Sequence, residues 1–460
     1  LKTARRSFEF MRIGDNMEAY TGFAYVYDEY MDNIPYDEWE EYLVELLKEN
    51  GIDVKIVDAV NNNLTVEEIV ELISKDAPDF VGTNIFSINY ELVKQIIEQC
   101  KTKTSFIVGG KSTKFLYKDI VNFNSENEII VTIGEGELIT PDIVKGCVKE
   151  QSILGEYINR KIYKVDENSV YLPRDISKLK LDRTFFEDRD TINAYGKIEE
   201  AIVTSRECLY NCAFCGGARS LNKDVPVRER NAEDIIGELT EIKKTHPNTQ
   251  SIRILDDLFL KNRQSIENAI EIFKQFQFEW RAMAHIRSFK DAEDLLPILK
   301  ECGCKELEVG IESGNNEMRN KIHKIGNASE VFETISKIMK AGINVKGYFM
   351  YGLPEETLEQ CQDTYLLACR LLAYSNNTTG KFRTSAFQFR PYHGTELYNL
   401  INQDLKYSHN DSLNELEGRK QFNFTAGNFS SCSQKEIDKF VIKTNQLGKR
   451  KSNDEPDIEL

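Results

Sequence analysis

The chain has 460 residues, 41% of them hydrophobic, and a formal net charge of −16 at pH 7. That length builds two or three domains with full cores, and the acidic balance, with no sustained basic stripe, excludes nucleic acid as a primary partner, whose affinity comes mostly from phosphate contacts. No apolar run is long enough to span a bilayer and no signal peptide is evident, so the ten cysteines point to a reducing cytoplasm rather than to disulfides, away from membranes.

Residues 1–35 form a separate aromatic-rich segment, and residues 36–154 alternate helix and strand patterns. A helix with apolar positions at Trp39, Leu43 and Leu46-Leu47 ends at Gly51. It is followed by a strand Val54–Asp58, a helix Val66–Ile73, a strand Phe80–Asn84 and a helix Tyr90–Gln99. Further strands are expected over Phe106–Gly110 and Ile129–Ile133, the last running into Gly134-Glu135-Gly136-Glu137. This is the pattern of a doubly wound, Rossmann-like α/β domain with glycines at its strand ends, where such folds bind ligands. Residues 155–195 are polar and extended, a hairpin linker.

From 196 to 397 strand and helix alternate six times, with strands at 198–207, 251–257, 279–286, 304–313, 344–352 and 382–391. Asn231 is placed to cap the first helix. Six parallel units make a partial (β/α)6 TIM-like barrel, with its site at the carboxyl ends of the strands. Residues 398–460 form a small polar extension with a disordered tail.

In the run Ser205-Arg-Glu-Cys208-Leu-Tyr-Asn-Cys212-Ala-Phe214-Cys215-Gly216, three thiols stand three and then two residues apart on one short loop. Two inorganic readings are open. Zinc wants a closed shell of four ligands, and neither a His nor a second CxxC lies near in sequence. A four-iron cubane normally takes four thiolates, so a set of three leaves one iron open to an exchangeable ligand. Most of the other seven cysteines read as buried core; Cys302-Gly-Cys304 is the one close pair among them.

The CxxxCxxC loop, with Phe214 before its last Cys, resembles that of the radical S-adenosylmethionine (SAM) enzymes. The resemblance implies a 4Fe-4S cluster on Cys208, Cys212 and Cys215, with SAM chelating the fourth iron. It also implies an electron from an external reductant such as flavodoxin or ferredoxin, and a 5'-deoxyadenosyl radical. It runs in order over residues 198–397. Asp256 and Asp257 resemble the second-strand segment that accepts hydrogen bonds from the SAM ammonium. Arg287 matches a third-strand Arg that neutralises the SAM carboxylate, and Gly-Ile-Glu312-Ser313 matches a fourth-strand segment serving ribose and carboxylate. Gly347-Tyr348-Phe-Met350-Tyr-Gly352 is similar to the fifth-strand segment that packs on adenine. Arg390-Pro-Tyr-His393-Gly-Thr395 departs from the sixth-strand pattern by placing His393 where proline is usual, which leaves His393 as either a substrate-side group or a structural histidine.

Residues 36–154 resemble the cobalamin-binding domain fused ahead of many such enzymes. Asp58, Asn84, Gly109, Gly110, Gly134 and Glu135 are then the candidate corrin contacts. The Asp-x-His-x-x-Gly motif that supplies a lower cobalt ligand is absent, as it often is in this fused family, and the first histidine is His246. A domain that serves only as scaffold is the alternative. Met17–Trp39 is similar to the N-terminal lid of small SAM methyltransferases, but no Asp-x-Gly-x-Gly loop comes after it, so it reads as a cover. The combination implies cobalamin-dependent methylation of an unactivated carbon in a small molecule or peptide. The alternative is a cobalamin-independent radical cyclisation, epimerisation or rearrangement.

Overall fold

The structure, a computed structural model, describes residues 7–12, 47–59, 62, 64–87, 89–179, 191–403 and 428–447. Its contacts gather into two compact units. One comprises residues 1–187, 220–226 and 390–427, the other 188–219, 227–389 and 428–460.

The first unit is built on strands β1 (Ser7–Arg12), β2 (Asp53–Asp58), β3 (Phe80–Asn84), β4 (Ser105–Gly109), β5 (Glu128–Ile133), β6 (Ile153–Tyr157) and β7 (Arg160–Lys164). Their order is β2-β1-β3-β4-β5-β7-β6, parallel throughout except for the β6–β7 hairpin. The central strands are continuous apolar runs because helices cover both faces. Phe106, Val108, Ile129 and Val131 are buried against Ile69, Ile73, Val93 and Ile97 of helices Val66–Asp76 and Tyr90–Gln99. Thr65 and Glu68 form a capping box at the first of these helices, and the chain turns out of it at Ala77 in the left-handed region, φ 42°.

Two expectations are corrected by the fold. The segment set apart as 1–35 supplies β1, which lies between β2 and β3. The hairpin read as a linker extends the sheet, β7 pairing with β5 from Ile129–Arg160 to Ile133–Lys164. Residues 17–39 lie outside the described ones.

The second unit carries β8 (Glu199–Ile202), β9 (Ser205–Arg206), β10 (Arg228–Glu229), β11 (Ser251–Ile254), β12 (Glu279–Ala284), β13 (Cys304–Glu312), β14 (Asn344–Tyr351) and β15 (Phe382–Gln388). Six of them form an all-parallel sheet in sequential order, β8-β11-β12-β13-β14-β15. The first expected strand is broken: after Ile202 the chain turns so that β9 pairs antiparallel with β10. This two-residue ribbon pinches together the ends of the segment 207–227. Asn231 caps helix Ala232–Thr245 as expected, accepting from the Asp234 N–H.

The barrel's last expected stretch ends early, at Gln388, and Arg390 onward groups with the first unit. The polar extension in turn contributes an ordered helix to the second unit, Gln434–Gln446, capped by Ser433 and Glu436. It is fastened to β14 and β15: the Tyr351 hydroxyl lies 2.7 Å from Thr444 Oγ1, Thr384 Oγ1 donates to Thr444 O at 2.6 Å, and Asn445 exchanges hydrogen bonds with Ala386 N and O. The end from 448 lies outside the described residues.

Candidate active site

Cys208, Cys212 and Cys215 lie in the loop that the β9–β10 ribbon closes, all three partly exposed and free of disulfides. Main-chain hydrogen bonds fix the loop: Cys215 N to Cys212 O at 3.1 Å, Arg219 N to Tyr210 O at 2.8 Å, and Ala213 N to Ile322 O at 3.1 Å. The Gly217 N–H donates to Cys215 Sγ at 3.3 Å. A Cβ on Gly217 would lie 3.4 Å from Asp257 Oδ2 and 3.6 Å from Cys215 Sγ, so carboxylate and thiol face each other across this glycine. Burial pushes all three thiols up, Cys215 to about 12 with Asp257 adding to the effect. Bound iron supplies the drive to deprotonate such thiols. Among the described residues no three His, Cys, Asp or Glu converge on a single metal-ion position. A cluster that takes one thiolate per iron needs no such convergence, and three thiols on one pinned loop fit it.

The two aspartates follow the end of β11 in the turn after Ile254, and their side chains part there. Asp256 is buried and accepts from Thr204 N at 2.7 Å, Thr204 Oγ1 at 2.6 Å and Ser205 Oγ at 2.7 Å. Here the carboxylate fastens the turn after β11 to the break between β8 and β9. Asp257 is exposed beside the cysteine loop.

On β13 the alternate residues Glu306, Glu308 and Glu312 are all buried. Glu312 sits in the left-handed region, φ 64°, where the register with β14 shifts, and it accepts from Lys324 Nζ at 3.1 Å. Ser313 is turned into packing: its Oγ accepts from Asn315 N at 3.1 Å and lies 3.2 Å from Thr364 Oγ1. Arg319, buried, clamps this turn through Ile311 O, Ser313 O, Ile325 O and Gly326 O.

Half-buried Arg287 follows β12, its guanidinium 3.9 Å from Glu330. His285 accepts from the Arg287 N–H at Nδ1, 3.1 Å, and its ring lies 4.2 Å from that of Tyr210 in the cysteine loop. Burial, aided by the nearby cations Lys324, Arg319 and Arg287, holds its pKa down to about 3, so the imidazole is neutral.

Tyr351 stacks on Phe440 of the C-terminal helix, so Lys346, Tyr348 and Met350 face the other way, into the barrel. Tyr348 donates to Glu308 Oε2 at 2.7 Å, and Met350 is buried above it. Gly352, φ 81°, opens a turn whose Gly352 N–H donates to Glu356 Oε2 at 2.7 Å. This layer continues through Arg281 and Arg253, 3.5 and 3.8 Å from Glu308. Burial lowers Lys346 to about 8. Sequence reasoning passed over this network, although Glu306 and Glu308 on β13 and Lys346 and Tyr348 on β14 stand two residues apart and signal an inward-facing polar row. Lys324 was missed as well.

In the first unit, Asn84 and Gly109 are register partners at the carboxyl ends of β3 and β4, and Gly134-Glu135 comes directly after the adjacent β5. Asp58 ends β2 at the same edge, two strands from β3. The glycines serve the backbone first. A Cβ on Gly110, φ 101°, would lie 2.7 Å from Ile85 O, and one on Gly134, φ 96°, 2.2 Å from Val165 O. A row of parallel strand ends free of bulky side chains at Gly109, Gly110 and Gly134 fits a flat corrin. His393 joins this unit, buried, with Nδ1 2.8 Å from Ser87 Oγ and its ring 4.7 Å from that of Tyr398. Of its two readings, the geometry is that of a satisfied structural histidine.

Residues 202–368 match the model of the Radical SAM superfamily, and residues 32–144 that of the B12 binding domain. The chain carries a radical SAM domain and a B12-binding domain. These domains imply a 4Fe-4S cluster, SAM and cobalamin as its cofactors. The chain is 26% identical over 423 residues, 88% of each chain, to an uncharacterized methyltransferase of Pyrococcus horikoshii. It is 24% identical to the anaerobic magnesium-protoporphyrin IX monomethyl ester cyclase of Rubrivivax gelatinosus, over 72% of this chain and 61% of that one. The fold is that of the radical SAM methyltransferase TsrM from Kitasatospora setae, with TM-score 0.60 and 14% identity over 86% of this chain and 76% of that one. Among the described residues no helix is long and apolar enough to cross a membrane.

Proposed function

We propose that this protein is a cobalamin-dependent radical SAM methylase acting on an unactivated carbon of a small-molecule or peptide substrate. The observation that carries the reading is one chain holding both a pinned three-thiol loop after the first strand of a parallel β/α sheet and a B12-binding sheet with glycines at its carboxyl edge. When bound, the cluster and SAM supply a 5'-deoxyadenosyl radical, and the corrin a transferable methyl group.

In this reading Cys208, Cys212 and Cys215 hold the cluster, with Phe214 and Gly216 shaping the loop on either side of Cys215. Asp257 and Glu312 accept hydrogen bonds from SAM, and Arg287 meets its carboxylate. Tyr348 and Met350 line the adenine side, and Asp58, Asn84, Gly109, Gly110, Gly134 and Glu135 border the corrin. The reductant is a separate one-electron carrier such as flavodoxin or ferredoxin. The curated cyclase relative favours a second reading, radical cyclisation or rearrangement without methyl transfer.

Anaerobic reconstitution with iron, sulfide and hydroxocobalamin separates the two. The methylase retains corrin absorbance after desalting and, with SAM and reductant, releases S-adenosylhomocysteine as well as 5'-deoxyadenosine. Release of 5'-deoxyadenosine by protein that keeps no corrin would establish the second reading instead.

A further inference from the structure

We infer that Lys324 is a positioning residue of the SAM site, holding Glu312 in its binding pose and placing a buried positive charge beside the cysteine loop. This rests on the radical SAM reading of that loop.

Three observations converge. The Lys324 ammonium donates to Glu312 Oε1 at 3.1 Å, and both side chains are nearly buried, 9% and 7% exposed. Solvent screens such a pair far less than a surface one, and removing one partner leaves a buried charge uncompensated. Gly310, on the same face of β13, makes room for the pair. A Cβ there would lie 2.7 Å from Lys324 Nζ and 2.4 Å from Glu312 Oε1, so even alanine must push the two side chains away. Finally, the turn that carries Lys324 is docked on the cysteine loop, Ile322 O accepting from Ala213 N at 3.1 Å, between Cys212 and Cys215. His323, φ 56°, bends the chain so that Lys324 turns back toward β13, and Lys324 N bonds to Arg319 O at 2.8 Å.

The consequence is a division of labour. Glu312 is the group that reaches the ligand. Lys324 fixes where its second oxygen points and offsets its charge. A fixed cation beside the cluster also favours the reduced, more negative cluster, since net charge and nearby hydrogen bonds set such potentials.

The test uses the full chain, anaerobically reconstituted, in the variants Lys324→Met, Lys324→Arg and Gly310→Ala. Iron and sulfide content establishes cluster assembly, equilibrium dialysis with labelled SAM gives affinity, and an EPR-monitored redox titration gives the cluster midpoint. Lys324→Met should assemble the cluster, bind SAM at least tenfold more weakly, and show a lower midpoint before SAM is added. Lys324→Arg should recover most of both losses, which a purely space-filling role would not require. Gly310→Ala should reproduce the loss of SAM affinity from the strand side, which keeps the test open if Lys324→Met does not fold. Wild-type SAM affinity and midpoint in Lys324→Met, or wild-type affinity in Gly310→Ala, would overturn the inference. Failure of the unmutated chain to assemble any cluster would instead strike at the radical SAM reading beneath it.

Discussion

Asp256 and Thr204 are joined twice, the carboxylate accepting from the Thr204 main chain at 2.7 Å and from its hydroxyl at 2.6 Å, with both residues buried. The junction sets the point where the first barrel strand breaks and the cysteine loop begins. Asp256→Ala should therefore cost stability, with about 1–3 kcal/mol for each buried donor left unpaired. It should leave the SAM affinity of the surviving folded protein within a few-fold of normal. Thermal melts and SAM binding on the same preparation check this, and a stable variant with weakened SAM binding would return Asp256 to the ligand site.

Asp257 is expected to behave in the opposite way. It is exposed and faces Cys215 across Gly217, so Asp257→Ala should melt with the wild type. Loss of a charge-assisted hydrogen bond to the SAM ammonium should weaken SAM binding by about ten- to a hundredfold, roughly 1.5–3 kcal/mol. Dialysis against labelled SAM decides it, and unchanged affinity would remove Asp257 from the site.

The cysteines separate by the same logic. Cys208→Ala, Cys212→Ala or Cys215→Ala should each abolish cluster retention and 5'-deoxyadenosine formation. Cys361→Ala should keep both, although Cys361 and Cys432 lie with sulfurs 3.9 Å apart in the barrel wall. Iron content after desalting is the measurement. A cysteine-loop variant that keeps full iron and cleaves SAM would dismiss the cluster assignment.

Legible and hidden parts of the fold divide on one physical line. Strands β3, β4, β5 and β11 to β15 were legible because a buried parallel strand is a local apolar run ended by glycine or a polar turn. The strand Ser7–Arg12 is just as local, yet its place between β2 and β3 depends on pairing across more than 40 residues, which no pattern records. The CxxxCxxC loop was legible because its three ligands are neighbours in the chain. Lys324 was not, since its partnership with Glu312 is made by a turn at His323.

Glu356 gives a pH prediction. Burial pushes its carboxyl from the usual 4.5 up to about 7, against the opposing pull of the Gly352 and Leu353 N–H groups. The folded chain therefore holds a proton that the unfolded chain releases above about 4.5. This contribution to stability is full below that pH and is lost as pH rises through about 7, a change of roughly 3 kcal/mol. Glu356→Gln keeps an acceptor for the Gly352 N–H but cannot titrate. The stability of wild type minus that of Glu356→Gln should fall steadily between about pH 4.5 and 7 and level off beyond. Chemical denaturation at a series of pH values gives the difference, and a flat one across that window would show that the carboxyl is not titrating there.

The last prediction concerns cobalt. The first unit has no histidine in residues 1–245, but the fold brings His393 to it from far downstream, against Ser87 in the turn after β3. Ser87 Oγ already accepts from the His393 main-chain N–H at 3.2 Å. The same hydroxyl lies 2.8 Å from His393 Nδ1, so that ring nitrogen is already engaged. A ring engaged at Nδ1 and packed on Tyr90 and Tyr398 is built into the fold rather than presented to a metal. Cobalamin bound at the carboxyl edge should therefore show no superhyperfine splitting from a protein nitrogen in its Co(II) electron paramagnetic resonance spectrum. His393→Ala should leave that spectrum unchanged while lowering the melting temperature of the apoprotein, since the ring fills a buried site beside Tyr90 and Tyr398. A nitrogen splitting that disappears in His393→Ala would make this histidine a cobalt ligand and require the Ser87 contact to break on binding.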